Sequence, residues 1–275
     1  MAAFLALGGA LFWGVGDFLG GLATRRLALL AVLVLSQAAG LVGVVVWVAL
    51  GSETFPGVVA LLPAVGAGVA GIVGLAALYR GLAIGAMGIV APISAASPVV
   101  PLAADAARGT VPDPLQWLGI VLILGGIVTL SRERVRGARF AAGAGLAVVA
   151  ALGFGTFVVA IDVAADESAS WAVLVARSCS LAIVLAAALV AGTSLRAPAR
   201  LLPLLLAIGV FDTGANVLVA IATTHGAAGI VGVLSALYPV VTIVLARVVL
   251  GERLSAARRA GGAVALTGAA FVAAG

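Results

Sequence analysis

GIVAPISAASPVV, residues 88–100, returns as GIVGVLSALYPVV at residues 229–241, with eight of thirteen positions identical. Both copies sit in almost continuous apolar sequence, and both keep one proline, Pro98 and Pro239. Duplication of a hydrophobic unit is the signature of membrane proteins built from internal repeats. The match extends outward from this block. Gly119 to Leu130 corresponds to Gly261 to Val272 after a one-residue insertion, and WGVGDF (Trp13 to Phe18) aligns with LGFGTF (Leu152 to Phe157).

Composition points the same way. Hydrophobic residues make up 64% of the 275 residues and charged residues 9%, and the mean hydropathy is +1.32, far from the balance of a soluble domain. The formal charge of +5 does not mark a nucleic-acid binder, because the arginines are scattered between apolar runs without interleaved aromatics. There is no lysine, which excludes Schiff-base chemistry. Cys179 stands alone, so no intramolecular disulfide forms and a small packing role is expected. MAAFLALGGALFWG at the start lacks the basic region of a secretory signal and runs on to Arg25, so it reads as a retained first helix.

A bilayer core about 30 Å thick needs roughly 20 apolar residues per helix. Cutting the chain at its charges and Gly/Pro clusters gives ten expected spans: 3–24, 28–50, 57–79, 85–107, 115–131, 140–162, 171–191, 201–224, 227–249 and 258–274. The expected fold is all-α and integral to the membrane, with residues 1–136 and 137–275 as two five-helix repeats joined through the polar connector Ser131 to Arg139. An odd number of helices per repeat makes the second copy enter from the opposite face, so the repeats are inverted, with the substrate and coupling-ion site near the midplane between them. Matching helix breaks at Pro98 and Pro239 point to that site.

Thirteen of the fifteen arginines fall in or beside the connections after odd-numbered spans. By the positive-inside rule those loops are cytoplasmic and both termini lie outside. Glu53, Asp105, Asp113, Asp162, Asp166 and Glu167 gather on the other face.

Asp17, Arg177 and Asp212 interrupt apolar spans, where an ionisable group costs at least ~2.5 kcal/mol and turns towards protein or a water-filled cavity. Asp17 is either a functional carboxylate or a hydrogen-bonding group among Gly14, Gly16 and Gly20. Arg177 either serves the site or snorkels, being about two turns from a span end. Asp212 and Asn216 are one turn apart and share a face. Gln37, Ser94, Thr156, Ser235 and Tyr238, with Ser97, supply neutral hydrogen-bonding groups on the helices around the expected cavity, although such residues also hold membrane helices together. His225 has no second histidine or carboxylate cluster near it in sequence, so no metal site is assigned, and no cofactor is expected.

Two strings resemble protease motifs, Gly14-Val15-Gly16-Asp17 and Asp212-Thr213-Gly214. In intramembrane aspartyl proteases the Gly-x-Gly-Asp aspartate follows its partner in the chain, whereas here it comes first. The Asp-Thr-Gly of soluble enzymes belongs to a β-sheet loop, so the reading lacks its structural context.

WGVGDFLGGLATRR, the repeated GIV-x-x-x-SA-x-x-P-VV block and the closing LGERLSAARRAGGAVALTGAA together resemble the EamA-type branch of the drug/metabolite transporter superfamily. The resemblance covers the whole chain. It implies ten helices in two inverted halves around a central cavity, and export or exchange of small metabolites. It also implies an arginine early in the second helix of each half; Arg177 fits this in the second, while Ser36 and Gln37 stand there in the first. Gly109 to Pro114 lacks the Gly-Glu-Arg-Leu of residues 251–254. Both termini are usually placed in the cytoplasm in this superfamily, against the arginine distribution.

These readings lead to an inner-membrane secondary transporter working by alternating access on a small-molecule substrate, with a coupling proton carried by Asp17 or Asp212 and with Pro98 and Pro239 as hinges. A passive facilitator and an intramembrane aspartyl protease are the alternatives. No phosphate-binding loop is present in the sequence, which argues against direct ATP coupling within this chain.

Overall fold

A computed structural model describes residues 1–84, 90, 93–131, 143–251 and 255–275. Part of the expected fourth span, the arginines of the central connector (Arg132, Arg134, Arg136 and Arg139), the boundary at residues 136–137 and Glu252 to Leu254 lie outside the described residues.

Eleven α-helices follow one another among the described residues: α1 (Ala2–Thr24), α2 (Leu29–Leu50), α3 (Leu62–Ile84), α4 (Val99–Ala107), α5 (Pro114–Ser131), α6 (Ala144–Ala165), α7 (Ala169–Val190), α8 (Leu202–Thr223), α9 (Ala228–Ser235), α10 (Tyr238–Leu250) and α11 (Ala256–Ala274). No strand occurs among the described residues. In hydrocarbon every backbone polar group needs an internal partner, and a helix supplies one along its length. Among the described residues six stretches are long and apolar enough to cross a membrane: Ala2–Thr24, Leu29–Leu50, Ala144–Ala165, Ala169–Val190, Ala199–Thr223 and Ala228–Leu250. Leu62–Leu78 and Pro114–Leu130 are shorter apolar helices. Large apolar side chains such as Val42, Val46, Val121, Leu206 and Val210 are exposed on the outside, the arrangement expected where the surrounding solvent is lipid rather than water.

Helix ends carry local sequence signals. Asp113 and Gln116 bond each other's backbone N–H, at 2.8 Å and 3.1 Å, closing a capping box on α5. The hydroxyls of Ser168 and Ser255 accept from Trp171 N and Arg258 N at the starts of α7 and α11, both at 3.3 Å.

The repeated block is where helices break. Residues 95–98 form a turn before α4, and Ala236 and Leu237 form one between α9 and α10, immediately before Pro239. A proline lacks the N–H that would bond four residues back, and its ring crowds that carbonyl. The chain tightens instead: Val99 N donates to Ala96 O and Val240 N to Leu237 O, at 3.0 Å and 2.9 Å. The single span expected at 227–249 is thus two helices separated by this turn.

Small residues bring helix axes together. A Cβ at Gly126 of α5 would lie 2.5 Å from Ala265 N of α11, and one at Gly119 would lie 2.6 Å from Gly268 O. These positions tolerate no side chain without moving a backbone.

Contacts recur between the halves with partners exchanged. Gly68 of α3 meets Ala176 and Cys179 of α7, while Gly209 of α8 meets Ser36 and Ala39 of α2. Likewise Gly14 of α1 meets Tyr238 O and Val241, while Gly155 of α6 meets Ser97 O and Val100. The second exchange corrects the register expected at the front of the repeat. Gly14 corresponds to Gly155 rather than to Gly153, so WGVGDF is displaced by two residues against LGFGTF. A Gly-x-Gly string matches itself nearly as well after a two-residue slip, and packing against the proline-bearing helices decides between the registers.

Candidate functional site

A cavity of about 180 Å³ lies between the halves. Its walls run from Thr24 and Leu29 at the α1–α2 turn, past Asp17 and Gln37, to Pro101, Ile161 and Val173. Of the residues expected at the site, Asp17, Gln37, Arg177, Asp212, Asn216, Ser235, Tyr238 and Pro98 line it. Pro239 sits beside Tyr238 in the first turn of α10.

Ser94 and Thr156 lie apart from the lining. Ser94 is buried and donates to Val90 O at 2.9 Å, bonding its own chain at the helix break. Thr156 is exposed on α6 beside Gly155, whose close approach to Ser97 and Val100 turns the neighbouring position away from the centre.

The charged groups are organised around Arg177. Its side chain is 5% exposed, and Nη1 donates to Asp212 Oδ2 at 2.6 Å and to Gln37 Oε1 at 3.4 Å. Nε and Nη2 are buried without a partner among the described residues. The short charge-assisted bond offsets part of the cost of burying a guanidinium. Arg177 therefore bridges to an adjacent helix rather than snorkelling outward. Gln37 occupies the matching position in α2, as the exchange of Ser36 for Ala176 against the two glycines requires.

Asp17 is exposed, but to the cavity. Its neighbour Gly16 packs on Asp212, where a Cβ would come within 3.5 Å of the Asp212 amide, so the two carboxylates project from touching stretches of α1 and α8. Aromatic rings complete the wall. Trp13 stands edge-on to Phe157, with ring centres 6.3 Å apart, and Phe154 is beside them. Sequence reading did not single out Phe154 or Phe157 as wall residues; their match to residues around Gly14 in the repeat was the available signal.

The cavity ends where a set of polar cross-links begins. Arg108 donates to Asp162 at 3.0 Å, joining the end of α4 to α6 one residue beyond Ile161. Asp105 accepts from Gly229 N at 2.6 Å, tying α4 to the first turn of α9, where a carboxylate meets the positive end of a helix. Glu53, in the α2–α3 loop, accepts from the hydroxyls of Ser168 and Ser170 and from the Ser170 amide. Burial acts to raise the Glu53 carboxyl, but these three hydrogen bonds to its charged form outweigh that and hold it below the usual range. The acidic residues that sequence gathered on one face thus form much of the closure of one cavity end. No group of three or more His, Cys, Asp or Glu among the described residues is placed to hold a metal ion.

A chain of apolar helices around an inner chamber that carries charge is the architecture of a multi-pass membrane protein with an internal site. The family model described as the EamA-like transporter family matches residues 1–132 and again 141–274, and the chain belongs to that family. A solved structure described only as "Crystal structure of protein" is similar over 98% of this chain and 95% of its own, with a TM-score of 0.81 at 20% sequence identity, which shows a shared fold. No curated protein matches the chain significantly.

Proposed function

We propose that the protein is a secondary active transporter that exports or exchanges small metabolites or drugs by alternating access, with ten membrane-crossing segments in two inverted five-helix halves. The observation that carries this reading is the cavity itself. It reaches the α1–α2 turn at one end, is cross-linked shut at the other, and holds Asp17, Arg177 and Asp212 between. The exchanged contacts of Gly68 and Gly209 support a two-fold relation between halves, and the double family match supports the repeat.

Asp17 or Asp212 carries the coupling proton, and the paired breaks before Pro98 and Pro239 are where the halves bend. The arginine distribution supports placing Arg25, Arg26 and the open cavity end at the cytoplasmic face of an inner membrane, with both termini outside. The protease reading loses ground, because it needs Asp17 and Asp212 to share one proton between them, whereas Asp212 already gives one oxygen to the Arg177 guanidinium.

Proteoliposomes containing a pH-sensitive dye, challenged with a panel of amino acids, amines and drugs, test the reading. Uphill accumulation of one compound against an imposed proton gradient is expected, lost in Asp17→Asn or Asp212→Asn. Downhill flux alone would leave a facilitator; unchanged coupling in the double variant would remove both aspartates from proton transfer.

A further inference from the structure

The charged hydrogen-bonding capacity left in the cavity is one-sided. Thr24 donates to Gly21 O, Ser36 to Leu33 O, Ser180 to Ala176 O and Ser235 to Ala6 O, at 3.1, 3.3, 2.9 and 3.5 Å. A hydroxyl has one proton, so these lining donors are already used. Arg177 is used as well: Nη1 bonds Asp212 and Gln37, and the remaining nitrogens are closed off inside the protein. Gln37 keeps its amide NH2 and Trp13 its indole N–H as neutral donors, while Ser97, Asn216 and Tyr238 serve as donor or acceptor alike; none of these selects a charge.

The charged group left uncommitted is carboxylate. Asp17 makes no side-chain hydrogen bond or ion pair among the described residues. Asp212 gives Arg177 one oxygen and keeps a side chain 39% exposed. With both carboxylates ionised, two of them against one guanidinium give the lining one negative charge, in a chamber otherwise walled by Trp13, Phe154, Phe157 and aliphatic groups. An anion entering here would meet like charge with no free cationic donor; a neutral molecule would leave the charge unbalanced. A protonated amine supplies both the missing charge and the missing N–H donors.

We infer that the cavity takes an amphiphile bearing a protonated amine, its ammonium group seated by Asp17 and the open side of Asp212 and its hydrocarbon body against Trp13, Phe154 and Phe157. The assignment rests on the transport site proposed above and narrows its substrate class.

The test is calorimetric titration of the intact chain in lipid nanodiscs, with empty nanodiscs as reference, using four compounds of similar shape: phenethylamine, phenethyl alcohol, phenylalanine and hydrocinnamate. Phenethylamine is expected to bind about tenfold more tightly than the alcohol, as one ion pair of modest strength implies, with the zwitterion and the anion weaker still. Asp17→Asn is expected to bring the amine down to the level of the alcohol. If that variant does not fold, the order of the four compounds on the unaltered chain still decides. Hydrocinnamate or phenylalanine binding as tightly as phenethylamine would overturn the inference, as would absence of binding by all four at millimolar concentration. Neither result touches the transport reading, which fails only if no compound class is moved by the vesicles.

Discussion

Where the second half of the molecule carries Arg177, Asp212 and Asn216, the matching positions of the first half hold Gln37, Gly71 and Leu75; Asp17 in turn is matched by Val158. The positions that set helix approach show the opposite behaviour. Gly68 and Gly209, Gly14 and Gly155, and Pro98 and Pro239 are the same residue types in both halves, and the glycines meet equivalent partners. Helix spacing and the central break are properties of the duplicated scaffold. The charges are properties of one copy each, so a two-fold frame encloses a chamber with no two-fold chemistry. An asymmetric ligand requires such a chamber, and the comparison can be broken from either side.

The largest effect is expected from the shared positions. A Cβ at Gly209 would come within 2.9 Å of Gly40 N and 3.0 Å of Ala39 Cβ, and one at Gly68 within 2.8 Å of Cys179 Cβ. Gly68→Leu and Gly209→Leu should each cost about 3 kcal/mol, the upper range for overpacking, read as loss of folded protein in thermal melts. The comparison fails if one half tolerates the change and the other does not.

The unshared positions come next. Asp212→Asn leaves Arg177 buried without its counter-charge, which costs several kcal/mol in a closed interior. Asp212 is open to the cavity, so screening reduces the expected loss to roughly 1–2 kcal/mol of thermal stability. Arg177→Gln with Asp212→Asn should cost less than the two single changes summed, because removing both partners leaves no orphan charge. Additive losses would show that the 2.6 Å pair contributes nothing specific.

Much of this was open to reading from sequence, for physical reasons particular to membranes. Apolar runs and isolated charges are conspicuous when the solvent is hydrocarbon, which is why the helical fold, the family, and Asp17, Arg177 and Asp212 stood out. Two things were hidden. The polarity of a small residue says nothing about the direction it faces: Ser94 bonds its own backbone and Thr156 turns outward, yet both look like Ser235 and Tyr238 on paper. Aromatic walls are hidden for the converse reason, since Phe154 and Phe157 are indistinguishable by composition from phenylalanines that face lipid. The closing cross-links were half visible. Charge placed Glu53, Asp105 and Asp162 on one face, but their partners Ser168, Ser170, Gly229 N and Arg108 come from distant segments.

A smaller effect on stability, and a larger one on turnover, is expected at the paired breaks. Pro98→Ala and Pro239→Ala restore an N–H donor and relieve ring crowding in the middle of each broken helix. Melting temperatures should move little while flux in the vesicle assay falls for both, since a straightened helix opposes bending. If one proline can be replaced without loss of flux, the bend belongs to a single half, and the symmetry of the scaffold stops short of its motion.

The smallest effect lies at the closed end, where Glu53 contributes through its charged form. Its carboxyl is held below the ordinary range in the folded chain, so its share of the closure is complete at pH values above that range and is lost as the pH falls through the lowered value. Amide hydrogen exchange at Ser170 and Trp171, corrected for the intrinsic rate, should therefore accelerate as the pH falls from neutral through that lowered value. Glu53→Gln should exchange faster at neutral pH and show a flatter acid response, because a neutral amide accepts more weakly than a carboxylate. No counterpart of this acid step is expected at the α1–α2 turn, where the cavity is open and Thr24 bonds only its own helix. An equal acid response at the two ends would mean that Glu53 is a bystander and that the closure rests on Asp105 and the Arg108–Asp162 pair.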